Sequence, residues 1–527
     1  MGEPKSVTHR IADFDQWSSC VADLIFAFAV KMPAAVLLVF TWLVTTLPSA
    51  VNGQDSSETT PTIEQLQVQL NEQAAQIREL HQLLEPHNDN FGLRPDSASQ
   101  GCTSGMIERL PLVVDLPVDG NCDDAEMHGA SKTLDFYAGY DRGFVIRPFD
   151  ARKHPFDLKA NGWIQFRYHG FSRQSDRWTD NAGITRPIQN RSAFDIERAR
   201  LVFRGHAVDP RLTYFLQIDG DTDDGHAVDF FDYWWAWQLT DRFQILMGKR
   251  KVPASRQWLL PARRTRFADR PMANDFFRPD RTVGIFGIGR FAQHGHYRVM
   301  VGNGYRTANL PNASTDNRVT FAATSFIEPA GDFGGQIVDF DQTQTPLWRL
   351  GHSFVYSPQT SQRNGTPLDE TDFVRLADGT RLTETGALLP GVTVSAFDIW
   401  LYGVDAAWKH KGWSVTSEVF LRWIENLRGD GTLPTHEIFQ QGYYVEGGKF
   451  LVAKQLDVNV RYSHVDGEFG NANEYAAGLN WYPLAKPTVK ITFDVTRLDG
   501  SPLQNRTSDI VVGDDGVLFR TQFQAEF

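Results

Sequence analysis

The final residues of the chain alternate strictly between apolar and polar side chains. Val517, Phe519, Thr521, Phe523, Ala525 and Phe527 occupy one parity, and Arg520, Gln522, Gln524 and Glu526 occupy the other. A period of two residues is that of a β-strand with one apolar and one polar face. A terminal aromatic residue on such a strand is typical of barrels that cross an outer membrane. The pattern therefore predicts an all-β chain folded as a transmembrane antiparallel β-barrel.

The same alternation recurs upstream and predicts about sixteen strands in all. They begin near positions 161, 195, 212, 229, 243, 283, 296, 319, 347, 397, 413, 441, 456, 475, 487 and 517. Many approach the roughly 9–11 residues that a tilted strand needs to cross a bilayer. A soluble sandwich would instead turn the polar parity outward. Sixteen strands form a barrel wide enough for an aqueous channel.

The connections between these candidate strands alternate in length. Most connections after even-numbered strands are short turns, and those after odd-numbered strands are mostly long loops. Short turns on one rim and long loops on the other are the plan of bacterial outer-membrane barrels. The long connection at 330–346 departs from this rule, so the eighth and ninth strands are the least securely placed.

The N-terminal region precedes the predicted barrel, which occupies residues 143–527. An apolar run of 16 residues from Met32 to Leu47 follows Lys31 and precedes the small residues Ser49 and Ala50. The run is short for a membrane span and suits the hydrophobic part of an export signal. We therefore expect residues 1–50 to be a signal peptide with an N-terminal extension; the alternative is a single transmembrane anchor.

A heptad pattern follows the predicted signal. Its apolar positions are Ile63, Leu66, Leu70, Ile77, Leu80 and Leu84. This spacing predicts a coiled-coil helix in residues 51–86, the alternative being a lone amphipathic helix packed on a domain. Residues 87–142 are predicted to be a periplasmic linker. Its Cys102 and Cys122 form either one disulfide or two free thiols, because spacing does not decide between them.

Composition excludes several classes of function. The net charge of −12 gives no basic footprint for nucleic acid, and the mean hydropathy of −0.35 excludes a bundle of membrane-spanning helices. No metal-ligand spacing or cofactor motif is found, so we expect no cofactor and no metal. A barrel esterase or protease is a further alternative, but Ser353 beside His352 and the other histidines have no spacing that demands a catalytic triad. The sequence therefore does not predict an enzyme.

Basic residues concentrate on the parity that would face the barrel interior and in one loop. The interior parity carries ten basic residues against five acidic ones, and Lys249–Arg281 carries ten against three. Guanidinium groups bind phosphate and carboxylate through two parallel hydrogen bonds and stay charged. The predicted pore-lining, anion-binding residues are Arg167, Arg198, Arg200, Arg204, Lys249, Arg250, Lys251, Arg263, Arg264, Arg266 and Arg270. The alternative is a basic loop on the outer rim, bound to lipopolysaccharide phosphates or solvated.

Several motifs, taken in their order along the chain, resemble the phosphate-selective porin O and P family. They are FVIR at 144–147, GWIQ at 162–165, FDIERARL at 194–201, MGKRKVP at 247–253, VGNG at 301–304, GYYV at 442–445, RYS at 461–463 and GLNWYP at 478–483. The resemblance implies a sixteen-stranded homotrimeric porin with an arginine ladder and a constriction loop after the fifth strand. It places Arg198 and Arg200 on the wall and Lys249–Lys251 at the approach to the constriction. The loop has no Lys after Lys251, so phosphate specificity, general anion passage and mixed diffusion all stay open.

The sequence thus predicts a porin of the bacterial outer membrane that lets small hydrophilic solutes diffuse passively, with a preference for anions such as phosphate. Its expected partners are small anionic solutes, outer-membrane lipid and two further copies of the chain. The alternative function is a structural one, in which the barrel anchors the coiled coil and tethers the membrane to the cell wall.

Overall fold

The computed structural model describes residues 135–222, 228–307, 310, 312–316, 318–363 and 366–527. The predicted signal peptide, coiled coil and both linker cysteines lie outside these residues, so those interpretations stay predictions. Within the described part, no helix has the length and apolar character needed to span a membrane.

Sixteen antiparallel strands form one closed barrel. In chain order they are β3 (Phe156–Arg173), β6 (Arg191–Ala207), β7 (Asp209–Gly220), β8 (Val228–Thr240), β9 (Phe243–Lys251), β10 (Arg281–Arg290), β11 (Gly295–Gly302), β12 (Thr320–Ile327), β13 (Leu347–Thr360), β16 (Val394–His410), β17 (Trp413–Gly429), β18 (Ile438–Val452), β19 (Leu456–Gly467), β20 (Gly470–Trp481), β21 (Val489–Asp499) and β22 (Gly516–Glu526). Each pairs with the next, and β22 pairs with β3 from Gly516↔Arg173 to Glu526↔Trp163. Every predicted strand exists, and each begins within five residues of the position expected from alternation.

The alternation places apolar side chains outside the barrel and polar side chains inside it. On β22, Phe519 is 47% exposed whereas its neighbour Arg520 is 2% exposed. Trp235, Met247 and Ile285 are also among the large apolar side chains on the exterior. This is the reverse of a soluble domain and gives the barrel an apolar band where it meets lipid.

Smaller elements surround the barrel. A hairpin of β1 (Phe136–Tyr140) and β2 (Phe144–Pro148) pairs with the start of β3, and the Phe144 ring lies 6.0 Å from that of Phe527. The end of the segment predicted as linker therefore forms a strand. The loops contain the short hairpins β4 (Arg177–Thr179) with β5 (Thr185–Pro187) and β14 (Gln362–Arg363) with β15 (Thr366–Pro367), the α-helices α1 (Arg256–Leu259) and α2 (Met272–Phe277), and the 3-10 turns Ala262–Arg264, Asn312–Ser314, Asp369–Thr371 and Arg506–Ser508.

The connections alternate as predicted and define two rims. The short-turn rim has tight connections such as that from His410 to Trp413, and the long-loop rim includes the connection from Asp499 to Gly516. The exception at 330–346 is also observed, because 19 residues lie between Ile327 and Leu347 on the short-turn rim. Two long connections and this exceptional one fold back into the barrel, and they shape its interior.

Candidate pore and its inner loop

The connection after the fifth barrel strand lies inside the barrel. We call residues 252–280 the inner loop. Wall carboxylates hold its backbone: Glu418 accepts from the amides of Arg256 (3.0 Å) and Gln257 (2.7 Å), and Glu474 accepts from the Met272 amide (2.6 Å). A carboxylate that accepts backbone amides forms strong, charge-assisted hydrogen bonds. The acidic residues on the interior parity therefore fix the course of the loop.

Basic wall residues hold the loop's carbonyl groups in the same way. Arg461 donates to the Asp269 carbonyl oxygen (2.7 Å), and Lys490 donates to that of Thr265 (2.9 Å). Arg422 donates to the Phe276 carbonyl oxygen (3.3 Å). These groups come from β17, β19 and β21, so the loop is attached to a wide arc of the wall. Its position narrows the lumen.

Asp269 is the centre of a buried charge network. Its carboxylate lies 2.8 Å from Arg198 and 3.4 Å from Arg167. Arg167 is completely buried and also pairs with Glu197 and Asp509, both at 2.9 Å. Burial alone would raise the pKa of Asp269, but Arg198 and Arg167 outweigh it and hold that pKa well below its usual value. The two arginines are therefore neutralised within the protein.

The other predicted arginines of the wall and loop divide into paired and packed groups. Arg200 pairs with Asp219 (2.6 Å), and Arg263 pairs with Glu526 (3.0 Å), which also lies 3.8 Å from Arg264. Of the remaining predicted loop residues, Arg266 donates to Asn459 (2.7 Å) and Ser414 (2.9 Å). Arg270 donates to the Leu260 carbonyl oxygen (3.1 Å) and lies 3.9 Å from the Asp269 carboxylate. Most of the predicted cations thus hold structure together.

The predicted residues at the end of β9 behave differently from one another. Lys249 donates to the Phe230 carbonyl oxygen (2.9 Å), and Lys251 donates to that of Trp258 (2.7 Å). The Arg250 guanidinium lies 5.4 Å from the centre of the Trp234 ring. Of these contacts, that of Lys251 with Trp258 is the one that involves the inner loop, which begins at the next residue.

Arg204, Arg250 and Arg298 lie on the interior parity and form no ion pair among the described residues. Arg422 also forms none among those residues, but it is buried and donates to Gln440 (3.0 Å). Arg204 is exposed, and Arg250 and Arg298 are half-buried. Arg250 is paired across strands with fully buried Thr282, and Arg298 with Thr324, which is also buried. Because cross-strand partners share a face, both guanidiniums belong to the interior. Arg204, Arg250 and Arg298 therefore contribute uncompensated positive charge to the lumen wall.

A second segment that sequence patterns did not predict closes part of the short-turn rim. We call residues 328–346 the turn insert. Its Phe340 ring lies 5.6 Å from Phe450 and 5.2 Å from Tyr482, and inner-loop residue Leu260 packs against this cluster. Asp339 accepts from the Gly412 amide (2.7 Å). The turn insert therefore extends from the β12–β13 connection to the β16–β17 and β20–β21 turns, and it packs against the inner loop on the side of the short-turn rim.

The third inward segment is the connection 361–393 on the long-loop rim. Val374 and Leu376 are completely buried in the same cluster as Phe277 of the inner loop. The Arg375 carbonyl oxygen accepts from Arg422 and from Gln440, each at 3.1 Å. Short apolar stretches inside a long loop are the signal that could have indicated this docking, but they do not identify the partner.

One cluster contains the residue types of a metal site. His169 Nδ1 lies 2.8 Å from Asp509 and 3.2 Å from Asp195. Asp509 also pairs with the Arg167 guanidinium, which already supplies positive charge to that carboxylate. The cluster is therefore part of the ion-pair network between the wall and the 500–515 connection.

Comparison with known proteins gives one family match. The family described as phosphate-selective porin O and P matches residues 173–527. No curated protein sequence matches the chain. Solved structures with a similar barrel include an anion-selective porin from Comamonas acidovorans (13% identity, 71% of this chain and 100% of that one, TM-score 0.46), OmpT of Vibrio cholerae (10%, 71% and 98%, 0.43) and the outer-membrane channel DcaP of Acinetobacter baumannii (9%, 71% and 97%, 0.44).

Proposed function

Since the chain belongs to the phosphate-selective porin O and P family, an outer-membrane porin family, we propose that its pore favours small anions, phosphate among them, during passive diffusion. The observation that carries the proposal is that Arg204, Arg250 and Arg298 lie on the lumen wall and form no ion pair with any residue that the structure describes. Guanidiniums in a narrow passage raise the local anion concentration and set selectivity.

The preference is modest, because most of the lumen's positive charge is matched. Arg167, Arg198 and Arg200 have carboxylate partners within 3.4 Å. A paired guanidinium presents little net charge to a passing solute. The pore therefore favours anions by electrostatic attraction at a few positions rather than by a continuous ladder of free cations, and no catalytic step is part of the function.

The functional unit is a homotrimer, as the family resemblance implies. Each barrel is closed on itself by β22 and β3, so each protomer forms its own pore. Light scattering on the purified protein measures the number of copies. A monomer as the sole folded species contradicts the trimer without affecting the pore proposal.

Reversal potentials in planar bilayers test the anion preference. In a KCl gradient, the wild-type protein gives a chloride-to-potassium permeability ratio above one. Arg250→Gln combined with Arg298→Gln lowers that ratio toward one, because it removes two uncompensated charges from the wall. Arg211→Gln is the matched control, since that side chain is 62% exposed near the start of β7 and already pairs with Asp209 (3.0 Å).

Two results contradict the proposal. A wild-type channel that prefers potassium excludes an anion-preferring pore. An unchanged ratio in the double variant shows that Arg250 and Arg298 do not act on passing ions. Adding phosphate to both sides then measures whether phosphate itself reduces the chloride current, as expected for a solute that shares the same wall.

A further inference from the structure

A cavity of about 370 Å³ lies where four connections meet on the long-loop side of the inner loop. We call it the mouth cavity. It is lined by the end of the inner loop and by residues of the connections after β11, β13 and β21. Its volume lies in the range of sites for small organic molecules, roughly 300–1,000 Å³. Each of the four connections contributes a polar or aromatic side chain, so the cavity is assembled by the fold as a whole.

The charges that line the cavity balance one another. Four arginines and four aspartates contribute to it. Asp280 collects three of the arginines, with Arg281 at 3.2 Å, Arg306 at 3.6 Å and Arg278 at 3.8 Å. Asp275 accepts from Arg278 (2.9 Å) and from Asn505 (2.8 Å). A cavity with this balance attracts a doubly charged anion only weakly, because it already holds four carboxylates.

Arg375 is the exception among the four arginines. Among the described residues it forms no ion pair, and one terminal nitrogen donates to the Gly379 carbonyl oxygen (2.7 Å). Its backbone is fixed to the barrel wall through Arg422 and Gln440. Burial and the nearby Arg381 lower the pKa of Arg375 to about 10, so the guanidinium is charged at neutral pH. Its remaining N–H groups suit the two oxygens of one carboxylate.

Flat aromatic rings line the same cavity as this guanidinium. The Phe373 ring stacks on Tyr305, with ring centres 5.3 Å apart and planes 2° from parallel. Phe276 contributes a second ring to the lining. Tyr305 is itself held by a hydrogen bond from its hydroxyl to the Phe277 carbonyl oxygen. The Arg306 guanidinium lies 5.5 Å from the centre of the Phe373 ring, and that of Arg422 lies 4.5 Å from the centre of the Phe276 ring. The rings therefore form an aromatic wall, which gains free energy when its open area covers another planar apolar group.

We propose that the mouth cavity binds small monocarboxylates with a planar apolar body, the carboxylate on Arg375 and the ring against Phe373 and Phe276. An inorganic phosphate ion would leave the rings uncovered and bring up to two charges to a balanced cavity. Acetate would satisfy Arg375 alone. The proposal goes beyond the proposed function and uses it only for the later passage of the bound acid through the pore.

Isothermal titration calorimetry on the purified full-length protein in detergent tests the proposal, with benzoate, acetate and inorganic phosphate as probes. Benzoate binds at least about tenfold more tightly than either of the others. Arg375→Gln weakens benzoate binding about tenfold or more, because the carboxylate loses its charged partner. Phe373→Leu weakens benzoate binding and leaves acetate binding unchanged. Arg177→Gln is the matched control, since this arginine is exposed on another loop.

Acetate or phosphate binding as tight as that of benzoate overturns the proposal, and so does benzoate binding that neither variant changes. A difference in migration between unheated and heated samples on denaturing gels shows that each variant is folded. If Arg375→Gln does not fold, the ratio of benzoate to acetate affinity in Phe373→Leu decides alone. Calorimetry measures binding without ion flow, so the two proposals fail independently. A protein without channel current contradicts the proposed pore but not the benzoate site. A protein that does not bind benzoate contradicts the site but not the pore.

Discussion

Replacing Asp269 with Asn removes the charge at the centre of the inner-loop network while preserving the size of the side chain. The largest loss is at Arg198, whose one ion pair among the described residues is with Asp269, at 2.8 Å. Arg167 loses a longer contact of 3.4 Å but keeps Glu197 and Asp509. Removing one partner of a buried ion pair costs about 3–5 kcal/mol.

The magnitude lies at the lower end of that range. Because Arg167 retains two carboxylates and the new amide still accepts one hydrogen bond, we expect Asp269→Asn to weaken loop docking by about 3 kcal/mol, roughly a hundredfold shift in the docking equilibrium. The ends of the loop stay attached through Glu418 and Glu474. The middle of the loop, around residues 263–271, is therefore the part that detaches more often, although Arg461 and Lys490 still donate to its carbonyl oxygens.

Single-channel recording in planar bilayers measures this release. Asp269→Asn shows a higher mean conductance and more frequent transitions than the wild type, while the barrel keeps its resistance to denaturation because the strand ladder is untouched. Asp176→Asn is the control, since that side chain is 73% exposed and pairs only loosely with Arg177. Wild-type conductance and noise in Asp269→Asn would refute the view that this charge network keeps the loop in place.

Two further predictions concern the turn insert and the mouth cavity. Phe340→Ala removes the ring that lies between Phe450 and Tyr482 and weakens docking of residues 328–346 by about 3 kcal/mol, which limited proteolysis detects as cleavage within the insert. Leu484→Ala is the control, because this side chain is exposed on the same rim and its loss leaves the insert protected. Equal protection of the insert in both variants contradicts the packing argument. Burial would raise the pKa of Asp280, but its three arginines lower it to about 2. A depressed pKa stabilises the folded cavity above the ordinary value near 4, and that stabilisation is lost as pH falls through about 2. The hydrogen-exchange rate of the loops that line the mouth cavity therefore rises as the pH falls from about 4 to about 2. Asp280→Asn abolishes this acid-dependent increase. An identical pH profile in the wild type and the variant contradicts the role given to Asp280.

Alternation predicted the strands well because each one has its own two faces. The sixteen starts and the closing strand follow from side-chain parity, which a strand imposes locally, whereas the constriction loop after β9 was implied by the family resemblance. The family match and the structure agree on this architecture. What parity cannot supply is the identity of a partner on a distant strand.

Glu197 shows where parity itself fails. In the register of β3 with β6, Gln165 pairs with Arg198 and Phe166 with Ile196, so Glu197 is an extra residue in the ladder. Such a bulge turns two successive side chains to the same side. Both Glu197 and Arg198 are accordingly buried inside, whereas strict alternation would place Glu197 outside.

The sequence therefore led to an overestimate of the number of uncompensated positive charges in the lumen. The acidic partners of the predicted arginines, including Glu197, Asp509 and Glu526, lie far away in sequence or outside the expected parity. Arg167 and Asp509, for example, are 342 positions apart. Composition counts charges, but only the closed fold shows which of them meet. The turn insert was missed for a similar reason, because its apolar residues are few and their partners are on other turns.

The long sequence separations of the inner-loop contacts set an order of assembly. The Asp269 carbonyl oxygen meets Arg461 across 192 positions, the Met272 amide meets Glu474 across 202, and the Ala268 amide meets Asp494 across 226. Contacts of such separation form late, because a large span of chain must first be ordered. The inner loop therefore cannot form all of its contacts with the wall until β19–β21 have joined the barrel. A nascent barrel is wide open while its strands are still joining, and narrowing of the passage coincides with completion of the cylinder.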